Sequence, residues 1–447
     1  MPETSSFHGK PLTKIGPLFD SSSDHSLETR ASFAEATRIC ARLHERGHVA
    51  YFAGGCVRDA LLGREPKDFD VATDATPDRV REIFGKRKTL AFGASFGVIG
   101  VLPEKRADDS WAKLDHVHPT EVATFRSDGE YSDGRRPDKV HYGDAKHDAL
   151  RRDFTINGLF FDPAEEKVID YVGGQVDLAA RRLRTIGAAD ERFEEDKLRM
   201  LRAVRFATTL GFELDAATKA EIVHRADEIA VVSAERIGAE MRRIVVSIHA
   251  PRGLELLIEC GLDRLILPEL RFAEPSSLVN YLGHRQSLDF ESSMALILYV
   301  IAENPAASPI GTLVKRISHQ WRLSSEETRR ITAAAKRWSI IADAHRQQWS
   351  AVQPTLVDRD ADCVFHVAAA ITCAKELPQA GVDLCRKALA WPEERLNPRP
   401  LLTGDMFRAA GHQPGPQFRT WLQAARDAQL DGQITTGEEA LAMITKR

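Results

Sequence analysis

Two carboxylates separated by one residue are the first side chains in the sequence that could do chemistry. Asp68 and Asp70 stand at the expected start of a strand, Phe69–Thr73. Alternate residues of a strand face the same side, and two carboxylates on one side repel each other unless a cation lies between them. Mg²⁺ prefers a few carboxylates together with substrate phosphates. We therefore expect a magnesium site here, and an exposed aspartate pair at a strand end is the alternative.

A third carboxylate belongs to Glu121, in a segment that is expected to form a neighbouring strand. Glu121 would complete a carboxylate cluster for two metal ions. In such an arrangement the metals activate an attacking hydroxyl and stabilise a leaving pyrophosphate. We therefore predict a catalytic role for Glu121, and a surface glutamate on an edge strand is the alternative.

A glycine pair precedes these aspartates in the sequence. Gly54 and Gly55 follow the apolar strand Val49–Ala53 and lead into an expected helix that contains Arg58. Glycine lets the backbone approach a phosphate closely, and the start of a helix offers unpaired N–H groups. Paired glycines also serve ordinary tight turns, but the carboxylates that follow favour phosphate binding. The pair lacks the three-glycine spacing of dinucleotide-binding enzymes.

The run Arg151-Arg152-Asp153 offers both positive charge and a hydrogen-bond acceptor. Adjacent arginines suit bidentate contact with phosphate oxygens. Asp153 could accept a hydrogen bond from a ribose 2′-hydroxyl and so favour ribonucleotides. An ion pair at the end of a helix is the alternative. The preceding His147-Asp148 dipeptide does not fit a phosphohydrolase pattern and is assigned no role.

Asp196 and Arg199 lie in a segment with helical periodicity, Asp190–Leu210, where they would share one helix face. A carboxylate can accept a hydrogen bond from the exocyclic amine of cytosine or adenine while an arginine donates to the adjacent ring nitrogen. Uracil and guanine offer a carbonyl in place of that amine. The pair would therefore accept C and A and reject U and G. A surface ion pair, which contributes little, is the alternative.

A small α/β domain is needed to hold these residues together. Strand signals occur at Val49–Ala53, Phe69–Thr73, Phe96–Leu102 and Glu121–Phe125, with a charged loop at Pro103–Pro119. After Val172 helical periodicity dominates. The expected helices are Ser26–Arg46, Asp190–Leu210, Ala216–Ile229, Ala234–Ile248, Ser293–Ala302, Ser325–Ala342 and Ala361–Ala374. The expected fold class is a mixed α/β head followed by an all-helical arm.

The composition of the 447 residues sets limits on partners. A formal net charge of −4 gives no global attraction for nucleic acid, so RNA must be held by a local basic surface. One such surface is predicted on the helical arm, with a solvated helix face as the alternative. Its residues are Arg322, Arg329, Arg330, Lys336 and Arg337.

Membrane association and disulfide formation are not expected. The longest apolar stretch, Met294–Ala302, is far shorter than a membrane span. The six cysteines are scattered and form no C-x-x-C pair. They predict reduced thiols in a cytoplasmic protein.

The four site runs, in this order, resemble the class II tRNA nucleotidyltransferases and bacterial poly(A) polymerases. The likeness covers about Ala53–Ile244 and is specific because five motifs occur in register. The motifs are Gly54-Gly55-x-Val57-Arg58-Asp59, Asp68-x-Asp70, Arg151-Arg152-Asp153-Phe154-Thr155-x-Asn157, Glu195-Asp196-x-x-Arg199-x-x-Arg202-Ala203-x-Arg205-Phe206 and Glu235-Arg236-Ile237-x-x-Glu240.

The resemblance implies a nucleotidyltransferase head at 26–172, followed by a helical neck, body and tail at 173–248, 249–395 and 396–447, after a flexible segment 1–25. It implies that Asp68 and Asp70 bind Mg²⁺. It implies that the triphosphate is held by Gly54, Gly55 and Arg58. It implies that Arg152 and Asp153 position phosphate and ribose. It also implies that the base is read by Glu195, Asp196 and Arg199. Asn157, Arg202 and Arg205 are further nucleotide-binding residues of the same motifs.

Two activities occur among the proteins that the chain resembles. Phe84–Lys88, followed by Glu121–Arg126, is similar to poly(A) polymerases, whereas the end of the chain is similar to CCA-adding enzymes and lacks a strongly basic extension. The tail residues concerned are Leu402–Asp405, Gly411, Pro414–Pro416, Gly432 and Glu438–Ala440. The resemblance favours an RNA-binding tail and the addition of CCA, from CTP and ATP, to tRNA. A poly(A) polymerase and an enzyme that adds only the terminal A to an RNA 3′ end are the alternatives, and the oligomeric state is left open.

Overall fold

The computed structural model describes residues 26–93, 97–104, 118–128, 140–409 and 415–445. The chain divides into two compact units, Met1–Val232 and Ser233–Arg447. The expected flexible segment 1–25 lies outside the described residues. The finer boundaries of the predicted neck, body and tail stay predictions.

A mixed sheet is the frame of the first unit. The strands of this unit are β1 Ala50–Ala53, β2 Val71–Thr73, β3 Thr89–Gly93, β4 Val98–Val101, β5 Thr120–Thr124, β6 Arg126–Asp128, β7 Val140–Tyr142, β8 Leu159–Asp162, β9 Lys167–Asp170, β10 Arg182–Leu183 and β11 Glu213–Leu214. Seven of them form one sheet in the order β3-β4-β5-β2-β1-β8-β9, while β6 pairs with β7 and β10 with β11. β1 is antiparallel to both of its neighbours, and β2 runs parallel to β5.

Four of these strands, β1, β2, β4 and β5, lie where the sequence predicts strands. β2 begins at Val71, two residues later than expected, so Asp68 and Asp70 precede the strand. β8 and β9 were not predicted. β8 is almost completely buried, and a strand buried on both faces lacks the alternation of polar and apolar residues that marks a half-exposed one.

Helices cover the sheet and continue towards the end of the first unit. They are α1 Leu27–His44, α2 Gly55–Leu61, α3 Pro77–Phe84, α4 Ala145–Leu150, α5 Gly174–Ala179, α6 Ala189–Glu195, α7 Leu198–Leu210 and α8 Ala216–Arg225. Phe33 of α1 packs edge-on against Phe52 of β1 and against Phe69, with ring centroids 5.7 and 5.6 Å apart. This aromatic core fixes the segment that carries the two aspartates.

The expected single helix Asp190–Leu210 is wrong. α6 ends at Glu195 and α7 begins at Leu198, and Asp196 between them has an extended backbone with φ −152° and ψ 107°. Asp196 and Arg199 therefore do not share the face of one helix. The Asp196 carboxylate instead accepts a hydrogen bond from the backbone N–H of Leu198 at 3.0 Å, which satisfies a donor at the start of α7.

The second unit is helical, as expected for the arm. Its helices are α9 Ala234–Val245, α10 Ala250–Glu259, α11 Asp263–Ile266, α12 Pro275–Gly283, α13 Phe290–Ala302, α14 Ile310–Gln320, α15 Ser325–Ala342, α16 Trp349–Leu356, α17 Ala361–Ala374, α18 Ala380–Leu389, α19 Glu393–Leu396, α20 Gly404–Ala409, α21 Pro416–Leu430 and α22 Gly437–Thr445. α15 and α17 have the limits that the sequence predicts. The fold-class prediction of an α/β head followed by helices is confirmed.

Packing in the second unit is centred on α13, α15 and α17. The apolar stretch of α13 is buried from Met294 to Leu298. α15 begins with a capping box in which Ser324 accepts a hydrogen bond from the backbone N–H of Glu327, and the Glu327 carboxylate accepts one from the backbone N–H of Ser324. This reciprocal cap explains why α15 begins where its sequence indicates.

The helices α20, α21 and α22 pack around a separate small hydrophobic core. Phe407 of α20 is buried, and its ring lies 5.1 Å from Phe418 and 5.5 Å from Trp421 of α21. Gly411 and Pro414, two of the residues that resemble the tail of CCA-adding enzymes, lie outside the described residues. Among the residues that the structure describes, no helix combines the length and apolar character needed to cross a bilayer. All six cysteines are free thiols, as predicted.

Candidate active site

The two aspartates lie where β1 and β2 meet. The backbone carbonyl of Asp70 accepts a hydrogen bond from the N–H of Ala53 at 3.0 Å, so the β1–β2 ladder continues one residue beyond β2. Phe69 is buried in the aromatic core, while Asp68 and Asp70 are exposed. Asp68 and Asp70, which flank the buried Phe69 in the sequence, are therefore both on the exposed side of this segment.

Glu121 of β5 lies beside Asp70. Val71 is paired with Val122 in the parallel ladder of β2 and β5, so one step back along both strands brings Asp70 next to Glu121. Although Asp70 keeps exposed surface, the protein atoms around its carboxylate raise its pKa to about 6. The Glu121 and Asp68 carboxylates contribute to this rise, while Arg152 lowers the pKa. The strand register thus places Glu121 beside Asp70, and the effect of Asp68 on the same pKa indicates that the third carboxylate is nearby.

The chemistry of these carboxylates fits Mg²⁺ held together with substrate phosphates. In residues 26–93, 97–104, 118–128, 140–409 and 415–445, no three His, Cys, Asp or Glu side chains converge closely enough to hold a metal ion alone. Mg²⁺ is usually held by only one or two carboxylates, with substrate phosphates and water in its other positions. The concentrated negative charge at Asp70 favours a cation there.

The glycine turn carries Arg58 and adjoins Arg152. Gly54 has a φ of +72°, and a Cβ atom at this position would lie 2.7 Å from Nη1 of Arg152. The positive φ favours glycine at this position, and any larger residue would in addition displace the Arg152 guanidinium. Arg58 donates through Nε and Nη2 to Asp59 at 2.8 and 2.9 Å, which fixes its guanidinium at the start of α2.

Asp148, which the sequence analysis left without a role, holds both adjacent arginines. Its side chain is only 1% exposed, and it lies 2.7 Å from Nη2 of Arg151 and 2.9 Å from Nη2 of Arg152. Burial opposes ionisation of Asp148, but the charges of Arg152 and Arg151 hold its pKa below the usual value. Because Asp148 belongs to α4, this is the ion pair at a helix end that the sequence analysis gave as the alternative. The same ion pair also orients the two arginines that were predicted to contact phosphate.

Asn157 connects the glycine turn with α7. Its side-chain oxygen accepts a hydrogen bond from Nη1 of Arg58 at 2.7 Å, and its amide nitrogen donates to Asp153 at 3.1 Å. Asp153 in turn accepts hydrogen bonds from Nε and Nη2 of Arg202, on α7, at 2.9 and 2.6 Å. A continuous chain of hydrogen bonds thus runs from Arg58 to Arg202.

Asp153 is already occupied by protein partners. One carboxylate oxygen accepts hydrogen bonds from Asn157 and from the backbone N–H of Phe154, and the other accepts both bonds from Arg202. Burial opposes its ionisation, yet the charge of Arg202 and the hydrogen bond from Asn157 lower its pKa to about 2. A ribose hydroxyl would have to share an oxygen that already accepts two bonds. The arrangement supports positioning of Arg202 more directly than contact with ribose.

The predicted base-reading residues stand around the break between α6 and α7. Arg199 forms an ion pair with Glu195 and donates to the backbone carbonyl of Arg192 at 3.1 Å. Arg205 is only 7% exposed, and its guanidinium lies 3.4 Å from the centre of the Phe206 ring. Glu195 therefore orients Arg199, whereas Arg205 offers little surface to a nucleotide.

Phe206 is a second residue that the site predictions did not include. Besides Arg205, the guanidinium groups of Arg58 and Arg202 approach its ring, at 5.3 and 5.4 Å from the centroid. Arginine is attracted to an aromatic face. The Phe206 ring thus helps to hold the two arginines at the ends of the Asn157–Asp153 link.

The basic surface predicted on the helical arm is largely neutralised. Arg330 contacts Asp362 at 2.7 Å, and Arg322 lies 3.4 Å from Glu235. The corresponding nearest distances are 2.7 Å for Arg329 to Asp360 and 3.3 Å for Arg337 to Asp358. In the described part of the chain, Lys336 alone among the five predicted cations forms no ion pair. The predicted local basic surface on the helical arm is therefore largely compensated by carboxylates, and RNA binding by these residues stays a prediction.

Comparison with known proteins covers both units. The family described as "Poly A polymerase head domain" matches residues 50–184, and that described as "Probable RNA and SrmB- binding site of polymerase A" matches residues 211–273. A CCA-adding enzyme of Lactiplantibacillus plantarum is 31% identical over 417 residues, which are 92% of this chain and 95% of the relative. The chain belongs to the family of CCA-adding tRNA nucleotidyltransferases and poly(A) polymerases.

Other members of this family agree with that assignment. A CCA-adding enzyme of Geobacillus thermodenitrificans is 43% identical over 232 residues, which are 52% of this chain and 54% of the relative. The structure of the Bacillus stearothermophilus CCA-adding enzyme in complex with CTP superimposes with a TM-score of 0.73 at 27% identity, and the match covers 93% of this chain and 97% of the other. Family membership confirms the prediction of a nucleotidyltransferase.

Proposed function

We propose that this chain adds C, C and A, from CTP and ATP, to the 3′ end of tRNA. The observation that carries this proposal is the extent of the likeness. The Lactiplantibacillus plantarum CCA-adding enzyme matches over 92% of the chain, whereas the poly(A) polymerase description applies to residues 50–184 and 211–273. The six free thiols support a reducing, cytoplasmic location.

In the proposed reaction the 3′-hydroxyl of the RNA attacks the α-phosphorus of the nucleoside triphosphate. A phosphorus–oxygen bond forms to the RNA, the bond between the α-phosphorus and the bridging oxygen to the β-phosphorus breaks, and pyrophosphate leaves. Asp68 and Asp70 would hold Mg²⁺, with Glu121 as the third carboxylate. Bound magnesium supplies positive charge that activates the hydroxyl and stabilises the leaving group. Asp70 lies close enough to Glu121 and Asp68 for their charges to raise its pKa, which supports this assignment.

In this proposal the arginines of the site position the triphosphate. Arg152 is held by Asp148 and Arg58 by Asp59 and Asn157. Because these partners fix each guanidinium, little conformational entropy is lost when a phosphate binds. Gly54, which has no Cβ atom, leaves space for the Arg152 guanidinium.

Base choice is assigned to Glu195, Asp196 and Arg199. Arg199 would donate to the ring nitrogen of C or A while Asp196 accepts from the exocyclic amine. Glu195 supports this role because its ion pair with Arg199 fixes the guanidinium beside the α6–α7 break. The extended backbone of Asp196 places its carboxylate outside either helix, so it reaches the base from the break rather than from a helix face.

The deciding experiment supplies purified protein with each nucleoside triphosphate alone, and with CTP and ATP together, on three tRNA transcripts. These end before CCA, after CC and after CCA. A CCA-adding enzyme adds two C and one A to the first transcript, adds A to the second and leaves the third unchanged. Long A tracts on unstructured RNA without incorporation of C would identify a poly(A) polymerase. Extension of the second transcript alone would identify an enzyme that adds only the terminal A.

A further inference from the structure

A groove of about 700 Å³ lies beside α15 in the second unit. We call it the α15 groove. Its charged lining consists of Arg329, Lys336 and Arg337 of α15 and of Asp358, Arg359 and Asp360 from the turn between α16 and α17. The groove lies outside the 211–273 segment to which the family description assigns RNA binding.

Two of the four cations of the α15 groove are compensated. Asp360 is only 3% exposed and accepts hydrogen bonds from Nη2 and Nε of Arg329 at 2.7 and 2.9 Å. Asp358 lies 3.3 Å from Arg337. These ion pairs fix the floor of the groove and account for both of its carboxylates.

The other two cations have no such partner. Lys336 and Arg359 are both exposed, and neither forms an ion pair or a side-chain hydrogen bond within the described ranges. Arg359 is close enough to Asp360 to help lower its pKa, after the larger effect of the hydrogen bond from Arg329. Four cations against two carboxylates leave the groove with two surplus positive charges.

The hydroxyl groups of the two threonines that line the groove donate to the backbone of α15 and of its N-cap residue. The hydroxyl of Thr328 donates to the carbonyl oxygen of Ser324 at 2.9 Å, and that of Thr332 donates to the carbonyl oxygen of Thr328 at 2.7 Å. A ligand would therefore be recognised mainly by charge. Recognition by charge suits a backbone phosphate, which carries no sequence information.

We propose that the α15 groove binds a backbone phosphate of the RNA substrate through Lys336 and Arg359. This inference rests on the proposed function, since it takes RNA as the ligand. The two free side chains reach the phosphate, while the fixed Arg329 and Arg337 add positive potential around it. In this way a chain with a net negative charge binds RNA at a local positive site, independently of base sequence.

The test measures binding of a fluorescent tRNA transcript that ends before CCA, at potassium chloride concentrations from low to physiological. In the variant Lys336→Glu/Arg359→Glu we expect binding at low salt to weaken at least ~10-fold, and the plot of log affinity against log salt to become shallower by roughly 0.7–0.9, as loss of one neutralised phosphate requires. The neutral variant Lys336→Gln/Arg359→Gln should give the shallower slope with a smaller loss of affinity. Circular dichroism and thermal unfolding establish that each variant is folded.

The matched control is Arg346→Glu/Lys387→Glu, which makes the same change in net charge. Arg346 and Lys387 are exposed cations of the same unit and, in the part of it that the structure describes, neither forms an ion pair. We expect the slope of this control to equal that of the unaltered protein. An unchanged slope in the groove variants, or an equal loss in the control, overturns the proposal. Nucleotide addition by the unaltered protein to the same transcript separates this failure from that of the proposed function, whose failure would overturn both.

Discussion

The arginines of the nucleotide site and the cations of the α15 groove are arranged in opposite ways. In the first unit Arg152 and Arg202 are fixed by carboxylates that are almost buried, Asp148 and Asp153. In the second unit Lys336 and its neighbour Arg359 extend into solvent without ion-pair partners in the described residues. A reacting triphosphate must be held in one geometry, which fixed arginines provide. Contacts to the RNA backbone, by contrast, carry no sequence information and need only positive charge near the phosphates.

The largest expected effect separates catalysis from RNA binding. Asp70→Asn should lower the rate of nucleotide transfer by roughly 10³-fold or more. The substitution removes a carboxylate that would hold Mg²⁺, and loss of the metal's charge costs several kcal/mol in the transition state. Asp68→Asn should act in the same direction. Single-turnover rates at saturating nucleotide and RNA measure the effect, and the RNA-binding salt slope should not change. Near-normal transfer by either folded variant contradicts the metal-ligand assignment.

A second prediction tests whether Asp148 positions the arginines or only stabilises the fold. Breaking its buried ion pairs with Asp148→Asn should cost about 3–5 kcal/mol of unfolding free energy. It should also raise the KM for ATP and CTP, because Arg151 and Arg152 lose their common partner. Denaturant unfolding and steady-state kinetics measure the two effects separately.

Asp177 provides the matched control for Asp148. It is fully buried and pairs with two arginines, Arg182 at 2.6 Å and Arg184 at 2.9 Å, neither of which is a predicted nucleotide ligand. Asp177→Asn should lower stability by a similar amount and leave the KM for nucleotides close to that of the unaltered protein. Equal rises of KM in the two variants would reduce Asp148 to a structural role.

A smaller effect is expected for base choice. Arg199→Ala should raise the use of UTP and GTP relative to CTP and ATP, and should lower the overall rate, since each well-formed base contact contributes about 1–3 kcal/mol of discrimination. Competition between CTP and UTP on the transcript that lacks CCA measures the ratio. Unaltered discrimination would remove Arg199 from the base-reading set, while leaving the nucleotidyltransferase assignment intact.

The smallest predicted effect is a pH dependence of stability at Asp153. Its folded-state pKa of about 2 lies below the ordinary value of 3.8. The stabilisation is therefore fully present above about pH 4 and is lost as the pH falls from 4 towards 2, with a size of about 2 kcal/mol. Urea unfolding of the unaltered protein and of Asp153→Asn should give free energies that converge over this range. A constant difference down to pH 2 would show that Asp153 is not the titrating group.

Local signals in the sequence were sufficient for much of the fold. The helices α15 and α17 have their predicted limits, since caps and helical periodicity act over a few residues. The break at Asp196 was missed because the helical spacing of Leu198, Leu201 and Val204 was extended backwards over residues that do not follow it. Four polar residues in a row separate Phe193 from Leu198, and this gap in the apolar pattern was a signal that could have been used.

The ion pairs also fall into two kinds: those that sequence spacing predicts and those that form between distant segments. The spacing of Asp148 from Arg151 and Arg152, three and four residues, is a local signal that could have been used. By contrast, the partners of Arg329 and Arg337 lie in another segment, at Asp360 and Asp358. Only the packing of α15 against that segment shows that a basic stretch is partly neutralised.

The pairing of β2 with β5 has a consequence for how the gene can change. Asp70 and Glu121 are neighbours only because Val71 is aligned with Val122 in this ladder. Deletion of one codon within β5 would turn Glu121 to the opposite side of the sheet and place a different side chain beside Asp70. In this short strand, therefore, the number of residues is constrained as strictly as the carboxylate itself, and insertions or deletions should be selected against even where they leave every acidic codon in place.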